Sequence, residues 1–420
     1  MRTEIKKLAR IEEGPYPFFS LYLNTRWDSE QQRERIRLFT KNELKKGADQ
    51  IKGKEGWQKA YLEDQKQIEG FVEGLVRRSY DEGVDGIAIF SCSGTTTFLT
   101  YPSIMPFENQ FFLSGLPVLR PLVRLSSQYQ ETLAVMVETD SAKLFEISLE
   151  GLLAESSIES YVPGRHDQGG WAQMRYQRHI RDHMNKHHRE VSEQLTELFD
   201  TGKWRRVVLI GQDRTLANFK SFLPERLKQQ IADTFSVDFF EERSRVLRRI
   251  FDRLMQRERE EVSRQIKEFK ERTPQRGRAT LGLDGTLEAL NQGQIQTLYL
   301  LASFNLMGGR CSQCGSLALT HPHPPAPPSA SCPFCKGSLR GIHLGEEMMR
   351  SVIRQDGEVT WVEENITLKE NDGVCASLRF GSSRSTYIKG VQDVSRNESE
   401  IFDIRFLIEW VRCASDGHCQ

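Results

Sequence analysis

The chain has 420 residues, more than one hydrophobic core usually organises, and this length predicts three domains. Lysine plus arginine (58) equals aspartate plus glutamate (58), so no global field draws the chain towards a polyanion; any such partner has to be met by a local patch. No stretch approaches the roughly 20 apolar residues of a membrane span, the N-terminus lacks a secretion-signal pattern, and eight cysteines are too few for a disulfide scaffold, so a cytoplasmic protein without membrane contact is expected.

In chain order, PFFSLYLNT (17–25) alternates like a strand, and charged helices are expected over about 28–46 and 60–78. DGIAIFSC (85–92) and TTFLTYPS (96–103) follow as strands, completing a first α/β unit. The chain restarts near SSQYQ (126–130). ETLAVMVET (131–139) and KLFEISLEG (143–151) predict a hairpin turning at Asp140-Ser141, followed by a helix over about 172–199 and a buried strand in WRRVVLIGQ (204–212). SVDFF (236–240) precedes a long charged helix, expected from 242 to about 270. In that helix Val246, Ile250 and Leu254 recur every fourth residue and suit a packed connector, leaving Arg248 and Arg249 as candidate RNA contacts. TPQRGRATLGLD (273–284) is expected to break the helix. A third unit follows as helix TLEALNQG, strand TLYLLASF, a cysteine insert, helix GEEMMRSVIRQ, and strands VTWVEEN and GVCASLRF. Strands alternating with helices predict an α/β fold with a partly parallel sheet. The domain boundaries are read at 1–128, 129–272 and 273–420.

The most specific spacing is CSQC (311–314) and CPFC (332–335), separated by seventeen residues. This fits the C-x2-C-x15–20-C-x2-C pattern of a zinc site, with Cys311, Cys314, Cys332 and Cys335 as four thiolate ligands. Four thiolates leave no open coordination position, so a structural Zn²⁺ in a ribbon spanning about 308–342 is expected. His321 and His323, flanked by prolines, are read as loop residues, and Cys92, Cys375, Cys413 and Cys419 as unpaired thiols. GQDRTLANF (211–219) lacks the phosphate-loop spacing and is read as a strand-to-helix turn capped by Asp213 or Thr215.

The local basic patch lies in GRHDQGGWAQMRYQRH (164–179) and the helix it opens. Between 164 and 190 stand Arg165, Arg175, Arg178, Arg181, Lys186 and Arg189, with His166, His179, His183, His187 and His188, against three acidic residues. Such a helix presents positive charge over much of its circumference. Gly169 and Gly170 let backbone approach another chain closely, and Trp171 is either a packing anchor or a ring on which bases stack.

Gly169, Gly170, Arg175, Tyr176 and Arg178 stand where a release factor carries its GGQ loop and the Arg-aromatic-x-Arg pattern behind it. The sequence therefore resembles the archaeo-eukaryotic class I release factors and the Pelota group, specifically their bacterial branch. LDGTLEALNQGQIQTLYLLASF and VTWVEENITLKENDGVCASLRF resemble the segments flanking the family's cysteine-bearing minidomain. The resemblance implies three domains, the middle one RNase H-like without a nuclease role and the third L7Ae-like with an inserted zinc ribbon. Asp140, Asp182, Asp200 and Asp213 are too scattered to suggest a metal-holding carboxylate cluster.

Two departures narrow the implied function. Trp171 occupies the position of the glutamine on which peptidyl-tRNA hydrolysis depends, and an indole offers one N–H and a wide apolar face. IKGKEGWQ (51–58) lacks the family's stop-codon elements, though Lys52 and Lys54 remain candidate contacts to ribosomal RNA phosphates. The expectation is a factor that binds ribosomal RNA through Arg165, Gly169, Gly170, Trp171, Arg175, Tyr176, Arg178 and Arg181. It would occupy the A site in hibernation or rescue without reading stop codons, partnered by a translational GTPase such as elongation factor Tu, and be a monomer off the ribosome. The alternative is a codon-independent peptidyl-tRNA hydrolase using Gln168 or Gln173, and a third reading is an RNA-binding scaffold.

Overall fold

A computed structural model describes residues 2–27, 29–53, 56–77, 84–160, 171–276, 278–319 and 331–380, with backbone alone for residues 2, 128, 171–177 and 270–276. Among these residues the strands form a four-stranded, a five-stranded, a second four-stranded and a small three-stranded sheet.

The first sheet follows helix α1 (Arg2–Ala9) and contains β1 (Phe18–Asn24), with α2 (Glu30–Gln50) and α3 (Trp57–Arg77) leading into β2 (Gly86–Cys92), β3 (Thr97–Ser103) and β4 (Gln110–Ser114). Its order is β3-β2-β1-β4, every pair antiparallel. Period-two alternation assigns the faces of β1. Phe19, Leu21 and Leu23 pack against α2 and α3, while Phe18 and Tyr22 point to the opposite side.

Helix α4 (Arg120–Gln128) leads to the second sheet, built from β5 (Thr132–Val137), β6 (Ser141–Ser148) and β7 (Gly151–Glu159), then helix α5 (Trp171–Asp200), β8 (Arg206–Ile210), α6 (Asp213–Lys220), α7 (Glu225–Lys228) and β9 (Ile231–Phe235). The order is β7-β6-β5-β8-β9; β5, β6 and β7 are antiparallel neighbours, and β5, β8 and β9 run parallel. Its central strands are buried on both faces and accordingly read as nearly continuous apolar runs. Leu133, Val135 and Val137 meet Val191 and Leu195 of α5 and Phe219 of α6 on one face. Ala134 and Met136 meet the next helix, α8 (Arg243–Arg276), on the other.

The third region comprises β10 (Ala279–Leu281), α9 (Leu283–Asn291), β11 (Ile295–Leu301), the ribbon strands β12 (Met307–Cys311), β13 (Leu317–Ala318) and β14 (Leu339–His343), then α10 (Leu344–Arg354), β15 (Glu358–Val362), α11 (Ile366–Lys369) and β16 (Val374–Leu378). Its main sheet has order β10-β16-β11-β15, with β11 and β15 parallel.

The first and third sheets share one core. Phe18, Tyr22 and Phe90 belong to the same buried cluster as Leu298, Leu300, Met348 and Trp361. Arg350 of α10 is buried against the first region, donating to the backbone oxygens of Pro117 at 2.6 Å, Ala9 at 3.3 Å and Leu8 at 3.4 Å; Arg354 adds a bond to Ala9 O at 2.7 Å. These guanidinium groups satisfy Ala9 O at the end of α1 and add a second donor to Leu8 O, which also accepts from Ile11 N at 3.2 Å. Helix α8 supplies Val246, Leu247, Ile250, Phe251 and Leu254 to the second sheet's core, then Val262 and Ile266 to the third's. The connector read from its apolar spacing is thus a shared wall of two cores.

Some local expectations fail. A strand that the sequence reading did not assign lies at Ile231–Phe235, just ahead of SVDFF. Asp238 closes a turn after it, its carboxylate accepting from Phe240 N at 2.9 Å and its backbone oxygen accepting from Glu241 N at 3.0 Å. Helix α8 continues to Arg276, past the expected break at 273. At α6 the residue before the helix is Gln212, with no side-chain cap; Asp213 is its first residue and Thr215 is buried.

Candidate metal centre and nucleic-acid interface

The four cysteines converge. Antiparallel β12 pairs with β13 and β14, bringing one knuckle to the end of β12 and the other just ahead of β14. Gly315, at φ 73°, takes the left-handed turn closing the first knuckle, where its amide donates to Cys311 O at 3.1 Å. All four sulfurs lie within 4.8 Å of one another, with Cys311 to Cys335 and Cys314 to Cys335 at 3.4 Å and Cys314 to Cys332 at 3.6 Å. Four Zn–S bonds of about 2.3 Å in a tetrahedron would separate the sulfurs by roughly 3.8 Å, close to this spacing. Within the first knuckle the amides of Gln313 and Cys314 donate to Cys311 Sγ at 3.4 and 3.5 Å, stabilising a thiolate.

The sulfurs do not ionise alike. The Ser316 hydroxyl and amide draw Cys314 down to about 6. At Cys335 the Gly337 amide pulls down, but the neighbouring thiols and burial outweigh it and push the group up to about 12. Crowded thiols that cannot all deprotonate alone become four thiolates together once a cation balances them. The four-sulfur donor set fits a metal ion, and zinc in particular. No other group of three or more metal-ligating side chains converges among the described residues, so Asp140, Asp182, Asp200 and Asp213 form no such cluster there. Cys92 and Cys375 are free and buried, and burial pushes Cys375 up to about 12. Cys413, Cys419, His321 and His323 lie outside the described residues.

The basic helix is a single 30-residue element, about 45 Å long at 1.5 Å per residue. Arg165, Gly169 and Gly170 lie outside the described residues. Trp171, Arg175 and Tyr176 belong to the first turns of α5, their side chains undescribed. Arg178, Arg181, Lys186 and Arg189 are exposed. Lys52 is exposed and paired to Asp49 at 2.6 Å, whereas Lys54 lies outside the described residues. Arg248 and Arg249 are engaged on the protein, Arg248 with Asp85 at 3.8 Å and Arg249 with Glu241 at 3.4 Å.

The histidines correct the sequence reading. His187 and His188 are fully buried and do not contribute to a charged surface. His188 Nε2 lies 3.3 Å from Glu138 O and its Nδ1 3.2 Å from the Asn218 amide nitrogen, an arrangement suited to a neutral ring that donates through Nε2 and accepts at Nδ1. His187 Nδ1 meets Ser160 Oγ at 2.9 Å, while its Nε2 is buried with no hydrogen-bond partner. Burial holds both rings below the ordinary imidazole value. The positive face therefore ends near Lys186, apart from Arg189; His187 fastens the helix to Ser160 after β7, and His188 fastens it to the β5–β6 turn and to α6. Helical spacing alone does not reveal this, because adjacent histidines look alike whether a helix meets water or a sheet at that turn.

Residues 117–254, which include α5, match the family model described as "Bacterial archaeo-eukaryotic release factor family 10". No curated protein matches the chain. Among solved structures, the archaeal translation termination factor aRF1 is 16% identical, covering 90% of this chain and 96% of its own, with a TM-score of 0.23. Pelota of Archaeoglobus fulgidus is 17% identical over 70% of this chain and 79% of its own, with a TM-score of 0.33. An archaeal Pelota in a model of ribosome-bound Pelota and ABCE1 is 14% identical over 91% and 94%, with a TM-score of 0.36. The matched residues, about a third of the chain, include Gly169, Gly170 and the arginines that follow them, and over this stretch the chain is similar to the bacterial archaeo-eukaryotic release factor family 10.

Proposed function

We propose that this chain is a ribosome-binding translation factor that occupies the A site in hibernation or rescue, its Gly-Gly-Trp loop near the peptidyl transferase centre, without reading stop codons. The observation carrying this reading is the release-factor match over residues 117–254, which spans a long helix whose outer half exposes Arg178, Arg181 and Lys186. In this reading these groups, with Arg165, Arg175 and Tyr176, engage ribosomal RNA, aided by Lys52 and Lys54 at the first region. Gly169 and Gly170 allow close approach, and Trp171 stacks on a base in place of the catalytic glutamine. The division at 1–128, 129–272 and 273–420 belongs to the same proposal. The order β7-β6-β5-β8-β9 with β6 antiparallel supports an RNase H-like middle domain, and the mixed sheet with its cysteine ribbon supports an L7Ae-like third domain holding a structural zinc. A translational GTPase such as elongation factor Tu is the proposed partner in delivery, and the factor is a monomer off the ribosome.

Co-sedimentation with purified ribosomes across a salt series tests the reading. Binding is expected at low salt and falls steeply as salt rises. Trp171→Ala at unchanged stability is expected to weaken it about 5- to 150-fold, from a stacking contribution of roughly 1–3 kcal/mol. Failure to co-sediment at any salt would remove the ribosome from the proposal, and unaltered binding of the variant would remove the stacking role. Release of labelled peptide from loaded ribosomes, expected to be absent, would instead identify a hydrolase.

A further inference from the structure

His179 and His183 stand one turn apart on the exposed part of α5, with their Nε2 atoms 3.2 Å from each other. Their rings are nearly perpendicular, at 88° with centroids 4.4 Å apart. Residues four apart on a helix are neighbours on one face, so both rings lean over the same patch of surface. Two metal–imidazole bonds of about 2.0–2.1 Å spanning that distance enclose an angle of roughly 100–105°, close to the tetrahedral value. The two rings thus already hold the spacing that chelation of one cation requires.

We propose that His179 and His183 form a second metal site, a two-imidazole chelate for a borderline divalent cation such as Zn²⁺ on the outer half of the basic helix. Imidazole nitrogen selects zinc and its late first-row neighbours over magnesium or calcium, which prefer oxygen. Among the described residues no third ligand joins the pair. Bound metal therefore keeps open positions for water or an outside oxygen ligand, the reverse of the closed four-sulfur cluster. The site differs from the cysteine centre in donor type, coordination and place in the fold. It also differs from the buried pair next along the helix: His187 is fully buried with Nδ1 on Ser160, whereas His179 is exposed and His183 half-exposed.

The test compares zinc bound per chain by equilibrium dialysis at micromolar free Zn²⁺ for the full-length protein and for His179→Ala, His183→Ala and the double variant. The wild type is expected to hold one zinc ion more than each variant, and to lose that ion as pH falls, because an imidazole ligand must be unprotonated. Since only the difference is read, the result does not depend on what the cysteines hold or on ribosome binding. Imidazole ¹⁵N spectra of the wild type provide a second readout, in which Zn²⁺ should shift the His179 and His183 Nε2 resonances and leave those of His187 and His188 unmoved. Equal zinc content in all four proteins, or no shift at Nε2 of His179 and His183, would reduce the pair to neighbouring rings sharing a hydrogen bond.

Discussion

The cysteine ribbon and the basic helix are opposite kinds of site. In the ribbon, side chains from two knuckles converge until their sulfurs lie within 4.8 Å, so the object they recognise is enclosed by the protein. On the outer half of α5, exposed Arg178, Arg181 and Lys186 diverge into solvent, and only an external surface can bring their charges together. A converging site is determined by the chain's own turns and is coupled to its folding. A diverging one is added to a fold that stands without it, and its energy appears only on binding.

Three measurements sharpen that contrast. The largest effect is expected at the ribbon: Cys332→Ala removes a buried ligand and should abolish zinc retention, with loss of amide protection across 307–343 in hydrogen exchange. Retained metal and protection would mean that the cluster is not a folding element. Next comes the root of the helix. Burial lowers His187 and His188 in the folded state, so the unfolded chain takes up protons first as pH drops. Their contribution is complete above the unfolded value of about 6.5 and is lost as pH falls below it, by up to about 1.4 kcal/mol per pH unit for each ring. Denaturant unfolding from pH 8 to 5 checks this, and His188→Gln should flatten the slope; an unchanged slope in that variant would mean the ring is not the titrating anchor. The smallest stability effect belongs to the diverging arm. Arg178→Ala with Arg181→Ala should shift unfolding by less than about 0.5 kcal/mol per site, yet reduce the salt dependence of ribosome binding by about one unit per residue removed. If that pair destabilised the fold as much as the cysteine variant, the contrast would collapse.

Legibility from sequence follows the same division. The cysteine spacing gave away its site because two short knuckles fix ligand position locally. Strands β1, β2, β3, β5, β6 and β8 were readable from apolar runs or alternation, whereas β7 was not: it is an edge strand in GLLAESSIE whose middle residues face water, so no buried alternation marks it. Helix α4 hid behind Pro121 at its start, a position where proline begins a helix rather than breaking it. Strand β9 in IADTF was not marked either, because Asp233 is the one fully buried residue among its five and no apolar run or alternation stands out. The core shared by the first and third sheets rests on contacts such as Arg350 to Ala9, more than three hundred residues apart in sequence, which no local pattern encodes. At the arm, the burial of His187 and His188 depended on where the second sheet meets α5.

Helix α8 gives the molecule a mechanical character. Its 34 residues form a rod about 50 Å long with one stretch of its apolar stripe bedded in the second sheet and a later stretch in the third. The second sheet grips that rod through Ile250 and Leu254, and the third holds it at Val262 and Ile266. Because one unbroken rod is bedded in both cores, the second and third sheets are joined at this junction by a strut rather than by a flexible loop.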